Sequence, residues 1–289
     1  MANMDRRTIK GAIGIVLILA SMLIVGACAT AATPPSPSGA PTLPTQIQVT
    51  LDHSPVGTSD LTWNAANQTL TVKVAMTGLA PSSTHPEHIH AGDCSSDGAI
   101  VYTLKPIVAD SLGAGTSETT ITGVKDGIPA KGWYINVHNG PNLSPDIQAA
   151  PIACANITNS TTSTKNNQSV HVTLGGTPAA NESASGTAQL SIESGKLTVK
   201  LTVTGLAPNS THIAHIHKGS CEAQGAVLYP LTSVVADASG KGTSTTTVPN
   251  VSSIPASGWY VNVHRASTKD DLSTQTGFDP ITCGNVVTK

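Results

Sequence analysis

The chain has 289 residues, and its 15 Lys and Arg residues against 17 Asp and Glu residues give a formal net charge of −2 at pH 7. Charged residues make up only 11% of the chain and aromatic residues only 3%. The composition therefore lacks the basic surface that a nucleic-acid-binding protein needs, and we expect no nucleic-acid partner.

The N-terminus has the features of a targeting segment. Arg6 and Arg7 precede the apolar stretch 11–27, which ends in the letters VGAC at Cys28. This ending resembles the lipobox of bacterial lipoproteins, in which small residues admit the peptidase and the cysteine thiol carries the lipid. We therefore predict a lipoprotein signal peptide at residues 1–27 and lipidation of Cys28. The alternative is an uncleaved transmembrane anchor, because an apolar segment of this length nearly spans a bilayer.

Either arrangement places the rest of the chain outside the cytoplasm, anchored to the bacterial cell membrane or cell surface. The membrane is thus a predicted partner. Residues 28–45 are rich in Pro, Ser, Thr and Ala and carry no charge. Such a segment cannot bury an apolar core, so we predict an extended spacer.

Beyond residue 45 the chain contains one pattern twice. The matching blocks are LTVKVAMTGLAPSSTHPEHIHAGDC (70–94) with LTVKLTVTGLAPNSTHIAHIHKGSC (197–221), GWYINVH (132–138) with GWYVNVH (258–264), and PIACANI (151–157) with PITCGNV (280–286). We predict two domains of one kind, at residues 46–158 and 169–289, each long enough for one core. A polar linker at residues 159–168 joins them.

Both predicted domains have the pattern of β-strands. Apolar and polar residues alternate with a period of two in segments such as 46–51, 70–74, 170–174 and 197–203. Turn signals with Gly and Pro recur at short spacing, and no window shows a sustained helical stripe of apolar residues. We therefore predict an all-β fold of two tandem β-sandwich or Greek-key domains.

Four of the five cysteines are available for disulfides once Cys28 is assigned to the lipid. Four cysteines allow three pairings. The repeat favours one bridge in each domain, Cys94–Cys154 and Cys221–Cys283, and an oxidising extracytoplasmic compartment would maintain them. The alternative is four free thiols.

The histidines form two matching sets. In His88-Ile89-His90 the two histidines lie on the same face of a strand, because side chains alternate between faces. His138 ends a later strand and supplies a third imidazole, and the second copy has the corresponding set His215, His217 and His264. Three neutral imidazoles suit copper or zinc and leave a coordination position open. The alternative is that these histidines are ordinary surface or hydrogen-bonded residues.

A fourth histidine also repeats. His85 and His212 each follow the turn GLAPxST and give the pattern HxxHxH. They are candidates for a fourth metal ligand, although a role in holding the loop is the favoured interpretation.

At these residues the chain resembles Cu/Zn superoxide dismutase. The shared features are a GLxP turn before an HxH strand, a Cys shortly after it, a later VH, and a terminal C-x-x-I/V segment. The resemblance implies a Greek-key β-sandwich and copper ligation by both histidine sets. It also implies superoxide or copper ions as partners, with superoxide dismutation as a candidate activity.

Three features of that family are missing. Residues 91–137 and 218–263 contain no histidine, so the bridging histidine is not found and no zinc site is recognised. No arginine lies just before Cys154 or Cys283, so electrostatic steering of an anionic substrate should be weaker. Catalytic residues are therefore not assigned.

The chain also resembles the CHRD domain, named from chordin, through the TGLAP…HIH and GWYxNVH blocks. This resemblance implies a non-catalytic binding or structural module of the cell surface, with histidine sets that no longer bind metal. It is the alternative to a membrane-anchored copper protein.

Overall fold

The computed structural model describes residues 44–288. The predicted signal peptide, Cys28 and nearly all of the predicted spacer lie outside the described residues. Within residues 44–288, no helix is both long enough and apolar enough to cross a membrane.

The described chain is built almost entirely from strands, as the alternating pattern predicts. The first repeat contributes β1 (Gln46–His53), β2 (Val56–Asn64), β3 (Thr69–Thr77), β4 (Thr84–His85), β5 (Glu87–Ala91), β6 (Ile100–Thr103), β7 (Ile107–Val108), β8 (Gly115–Ile121), β9 (Trp133–His138) and β10 (Pro151–Ile157). The second repeat contributes β11 (Gln168–Leu174), β12 (Ser185–Glu193), β13 (Lys196–Thr204), β14 (Thr211–His212), β15 (Ala214–Lys218), β16 (Val227–Pro230), β17 (Val234–Ala236), β18 (Gly242–Pro249), β19 (Trp259–His264) and β20 (Pro280–Val286).

Helical structure within residues 44–288 is limited to three single turns. They are α1 (Asp146–Ala149), a 3-10 turn (Asp271–Ser273) and α2 (Gln275–Phe278). Each lies just before the last strand of its repeat.

The strands bury one face, as their sequences predict. In β3, Leu70, Val72, Val74 and Met76 are buried, whereas Lys73 on the opposite face is exposed. This period of two is the geometric consequence of the pleat.

Two β-sandwich domains result. The first has the sheets β10-β9-β5-β6 and β11-β2-β3-β8, with the pair β4-β7 beside them. The chain leaves the second sheet after β3, forms β5 and β6 in the first sheet, and returns to pair β8 with β3. This crossing between sheets gives the domain its Greek-key character.

The second domain is one continuous curled sheet. Its strand order is β14-β17-β18-β13-β12-β1-β20-β19-β15-β16. Strand β1 lies at the fold of the sheet, because residues 46–51 pair with β12 and residues 52–53 pair with β20. The two layers of this sandwich are therefore joined through β1.

The two repeats exchange their first strands. Strand β1 of the first repeat lies in the sheet of the second, and β11 of the second repeat pairs with β2 of the first along its whole length. Val49 and Leu51 accordingly belong to the apolar core of the second domain, and Val170 and Leu174 to that of the first.

The compact domains therefore differ in extent from the sequence repeats. We define domain 1 as residues 56–174 and domain 2 as residues 46–53 with 185–286, and we call residues 175–184 the crossing segment. The predicted ranges 46–158 and 169–289 follow the sequence repeats. The domains of the structure differ from these ranges because each domain contains the first strand of the other repeat.

The predicted linker is tied to domain 1 at both ends. The side chain of Asn159 is buried and donates to the carbonyl of Ile128, and Gln168 is buried at the start of β11. Residues 159–168 thus connect two strands of the same domain.

Each domain has one disulfide. Cys94 is bonded to Cys154 and Cys221 to Cys283, which confirms the predicted pairing. Each bridge closes a loop of about 60 residues and ties the segment after the HIH strand to the last strand of its repeat. Chain-entropy arithmetic for such loops gives about 4 kcal/mol of stabilisation per bridge.

Candidate metal centres

The first histidine set is assembled by two neighbouring strands. In β5, Ile89 points into the apolar core, so His88 and His90 project together from the opposite face. Strand β9 runs antiparallel beside β5 and places Asn136 opposite His88. His138 lies two residues further along β9 and therefore on the same face.

These three imidazoles, which we call triad 1, converge. One ring nitrogen from each of His88, His90 and His138 lies within 4.8 Å of the others, and all three residues are buried. His88 Nδ1 is at hydrogen-bond distance, 3.0 Å, from His138 Nε2. Two nitrogens bound to one tetrahedral metal at about 2.1 Å lie roughly 3.4 Å apart, so the cluster is compact enough for three rings to share one ion.

The second set, triad 2, has the same construction on β15 and β19. Nitrogens of His215, His217 and His264 lie within 4.8 Å of one another, again from three buried residues. His264 Nε2 is 3.4 Å from His217 Nε2. The structure thus brings all six predicted ligands into two clusters of three.

Hydrogen bonds fix the tautomer of four of the six rings. Each of these rings has its Nδ1 against a backbone carbonyl, which only accepts, so the neutral ring carries its proton on Nδ1 and presents a lone pair on Nε2. The pairs are His90 with Gly98 (2.8 Å), His138 with Ala149 (2.5 Å), His217 with Gly225 (2.9 Å) and His264 with Phe278 (2.7 Å). Such outer contacts orient a ring for metal ligation.

Burial lowers the pKa of five of the six imidazoles, those of His88, His138, His215, His217 and His264. It is the main cause that lowers the pKa of His88 to about 4, and the neighbouring His138 and His90 lower it further. The pKa of His215 is lowered to about 4 and that of His264 to about 3, again chiefly by burial. Neutral imidazole is the form that binds metal, so the lowered pKa values favour metal binding by these five rings at neutral pH.

The fourth repeated histidine is engaged elsewhere. The two ring nitrogens of His85 contact Ser83 Oγ (2.6 Å) and the carbonyl of His138 (2.8 Å). His212 makes the equivalent contacts with Ser210 and the carbonyl of His264. With both nitrogens occupied in these contacts, the two residues hold the turn and the end of the ligand strand in place.

Two further pairs of residues lie beside the triads, although the sequence pattern assigns them to the strands and the core rather than to a site. Tyr134 stacks on His90 with ring centres 5.0 Å apart, and Tyr260 stacks on His217 at 4.9 Å. The only signal in the sequence is their place in the GWYxNVH block. Because side chains alternate along a strand, Tyr134 and His138 share a face.

Asn136 and Asn262 are the other pair. Each is buried on the histidine face, and its amide Oδ1 has no hydrogen-bond partner. A buried unpaired acceptor is costly, so these oxygens mark positions where an additional polar ligand would be stabilised. His90 Nε2 and His215 Nδ1 are also buried without a hydrogen-bond partner, and they too mark positions where a polar ligand would be stabilised.

The residues therefore fit a transition-metal ion. Each site offers three imidazole nitrogen donors and no carboxylate ligand, and the donor nitrogens lie close to one another. Imidazole donors of this kind suit Cu, Zn, Fe or Ni rather than Mg or Ca.

The fold and the two sites define a tandem all-β module with a buried histidine triad in each domain. The CHRD domain family model matches residues 40–146 and again residues 160–270. These matches cover well over half of the chain, which therefore belongs to the CHRD domain family. No curated protein matches the chain significantly. The CHRD domains and the two disulfides are typical of a protein outside the cytoplasm.

Proposed function

We propose that this protein is a non-catalytic, extracytoplasmic module that binds one copper ion in each domain. The observation that carries the proposal is the pair of triads, each with three buried imidazoles, two of which have Nδ1 held by a backbone carbonyl. Membership of the CHRD domain family supports a binding or structural role over catalysis.

Copper is proposed because of the donor set. Divalent copper binds nitrogen sites more tightly than the other first-row ions, and three imidazoles without a carboxylate give no preference for a harder ion. His90 and His138 would bind through Nε2, and His88 through the Nδ1 that faces His138. The bound ion would supply an open coordination position.

Metal content after copper loading and exhaustive dialysis tests the proposal. We expect about two copper ions per chain, a nitrogen-rich copper EPR signal and a higher Tm, because a ligand that binds only the native state stabilises it. His88→Ala and His215→Ala should each remove one copper ion, and the double variant both.

His171→Ala is the matched control. His171 is an exposed histidine on β11 that contacts Asp60 on β2, far from both triads in the strand pairing. This variant should retain two copper ions. A wild-type chain that retains none, with an unchanged Tm, would rule out metal binding and leave a structural module.

Superoxide dismutation is a second candidate function, and it is restricted to triad 1. A solvent cavity reaches His90 and His138 there. The charged residues lining that cavity are acidic, which disfavours an anionic substrate. We therefore expect the copper-loaded protein to remove superoxide no faster than an equal concentration of free copper ions. A faster reaction that is lost in His90→Ala would establish the enzyme.

The lipid anchor belongs to the same proposal. Lipidation of Cys28 would keep the two domains at the outer face of a membrane, where they would meet metal ions before the cell interior does. The chain expressed in a bacterial host should partition into detergent, and Cys28→Ser should release it into the aqueous phase. Equal partitioning of both forms would contradict the anchor.

A further inference from the structure

The two triads differ in their access to solvent. Beside triad 1 lies a cavity of about 730 Å³, which is in the range of small-molecule sites. His90, His138 and Asn136 line it, and Thr177 and Ala179 of the crossing segment form part of its wall. The cavity is therefore built from both repeats, as a result of the strand exchange.

Two buried polar atoms in the cavity lining have no partner in the protein. These are His90 Nε2 and Asn136 Oδ1, from residues that are 7% and 5% exposed. Their unmet hydrogen-bonding capacity points to a ligand that enters through this space, because buried polar atoms are normally paired.

The cavity carries negative charge. Asp97 and Asp146 are its only charged lining residues, and both are exposed at its rim. The corresponding residues of the second repeat are Gln224 and Gln275, which are neutral. An acidic entrance raises the local concentration of cations.

Triad 2 is packed differently at the matching position. Ala149, which lines the cavity, is replaced by Phe278, whose ring centre lies 5.1 Å from that of His264. His264 and His217 are 0% and 1% exposed, compared with 7% for both His138 and His90, whereas the remaining members of the triads, His215 and His88, are 8% and 4% exposed. The phenyl ring therefore fills space that is open in domain 1.

We propose that triad 1 is an exchange site, which hydrated metal cations and small metal chelates reach through the acidic cavity, and that triad 2 retains its metal behind Phe278. This inference rests on the proposed function, because it assumes that both triads bind metal.

Release of copper to a chelator tests the inference on the full chain. The protein loaded with Cu²⁺ is mixed with an excess of the uncharged chelator 2,2′-bipyridine, and the loss of the protein copper signal is followed with time. We expect two phases of equal amplitude that differ by about tenfold or more in rate. His90→Ala should abolish the fast phase and His217→Ala the slow phase.

The exchanged pair Ala149→Phe and Phe278→Ala gives the decisive comparison. Ala149→Phe should slow the fast phase, and Phe278→Ala should accelerate the slow phase, whereas the surface control His171→Ala should leave both rates unchanged.

The double variant Asp97→Asn with Asp146→Asn tests the acidic entrance separately. It should slow copper uptake by triad 1 and reduce the dependence of the uptake rate on salt concentration. This test does not depend on the folding of Ala149→Phe.

The outcomes separate the two proposals. Failure to retain copper would contradict the proposed function itself. Retention of two copper ions that leave in a single phase, with rates insensitive to residues 149 and 278, would overturn the exchange inference while metal binding stands.

Discussion

Glu87 places a carboxyl group in the interior of domain 1. The residue is 0% exposed, its Oε1 accepts a hydrogen bond from the hydroxyl of Ser117, and its Oε2 has no partner. Burial raises the pKa of this carboxyl to about 8, and the bond from Ser117 only partly offsets the shift. The second repeat has Ala214 at this position, so the feature is specific to domain 1.

The raised pKa predicts a pH dependence of stability. Between pH of about 4.5 and 8 the unfolded chain has an ionised Glu87 while the folded chain keeps it protonated, so the free energy of unfolding falls as pH rises through this window. Glu87→Gln should remove the fall. We expect the variant to be more stable than wild type by a few kcal/mol above pH 8, since one pKa unit corresponds to about 1.4 kcal/mol.

Denaturant unfolding at pH 5 and pH 8.5 measures this difference. Glu118→Gln is the control, because Glu118 is exposed and its ion pair with Lys73 lies on the surface. Equal stability gains at both pH values, or none in Glu87→Gln, would show that the buried carboxyl is ionised in the native protein.

At the residue scale, the sequence predicted the clustering of the histidines better than it predicted their surroundings. His88 and His90 are two residues apart, which places both side chains on the same face of a strand. The repetition of the HIH motif in the second repeat indicated that these histidines form a site. The position of Asn136 in its strand also places it on the histidine face, but an asparagine in a strand can have many roles and does not by itself indicate a site. That its amide oxygen is unpaired can be seen only from the structure, where the positions of all neighbouring donors are known.

At the scale of elements, the strand pattern was predictable and the strand partners were not. Periodicity identifies a strand and its buried face, but pairing depends on contacts distant in sequence. Strands β1 and β11 both contain the sequence VTL, at residues 49–51 and 172–174. Leu174 pairs with Gly57 of β2, and Leu51 pairs with Gly186 of β12. Strands β1 and β11 therefore present the same VTL sequence, and the sequence alone does not indicate which of them pairs with which domain.

Engineered disulfides distinguish the two arrangements. Thr50 is the register partner of Thr187 in the exchanged structure. Without exchange, β1 would occupy the place of β11 and Thr50 would face Thr58, which now pairs with Thr173. We expect Thr50→Cys with Thr187→Cys to form a new disulfide in high yield, as shown by peptide mapping without reduction.

The matched control is Thr50→Cys with Thr58→Cys, which should leave both new thiols free. Cross-linking in the control pair and none in the first pair would show that each repeat keeps its own first strand. The native bridges Cys94–Cys154 and Cys221–Cys283 serve as internal standards in the same peptide map.

At the scale of the whole molecule, domain 1 is a contiguous insertion between two parts of domain 2. The chain enters domain 2 through β1, completes domain 1 from residue 56 to residue 174, and returns along the crossing segment. Arg265 Nη1 and Nη2 donate to both carboxylate oxygens of Glu182 at 2.7 and 3.0 Å, and this buried pair fixes the crossing segment to domain 2. Further contacts join the halves, since Gln275 donates to the carbonyls of Thr84 and Asn139.

The position of β1 imposes an order on how the chain acquires its structure during synthesis. Domain 1 has all its strands once residue 174 has emerged, and domains generally fold as units from the N-terminus onward. Among the strands of residues 44–288, β1 emerges first, yet its partners β12 and β20 emerge later, and β20 is the last of them. Val49 and Leu51 are therefore left without their core, on an unpaired strand open to intermolecular association, until β20 has been synthesised. The earliest of these strands is thus among the last to pair completely.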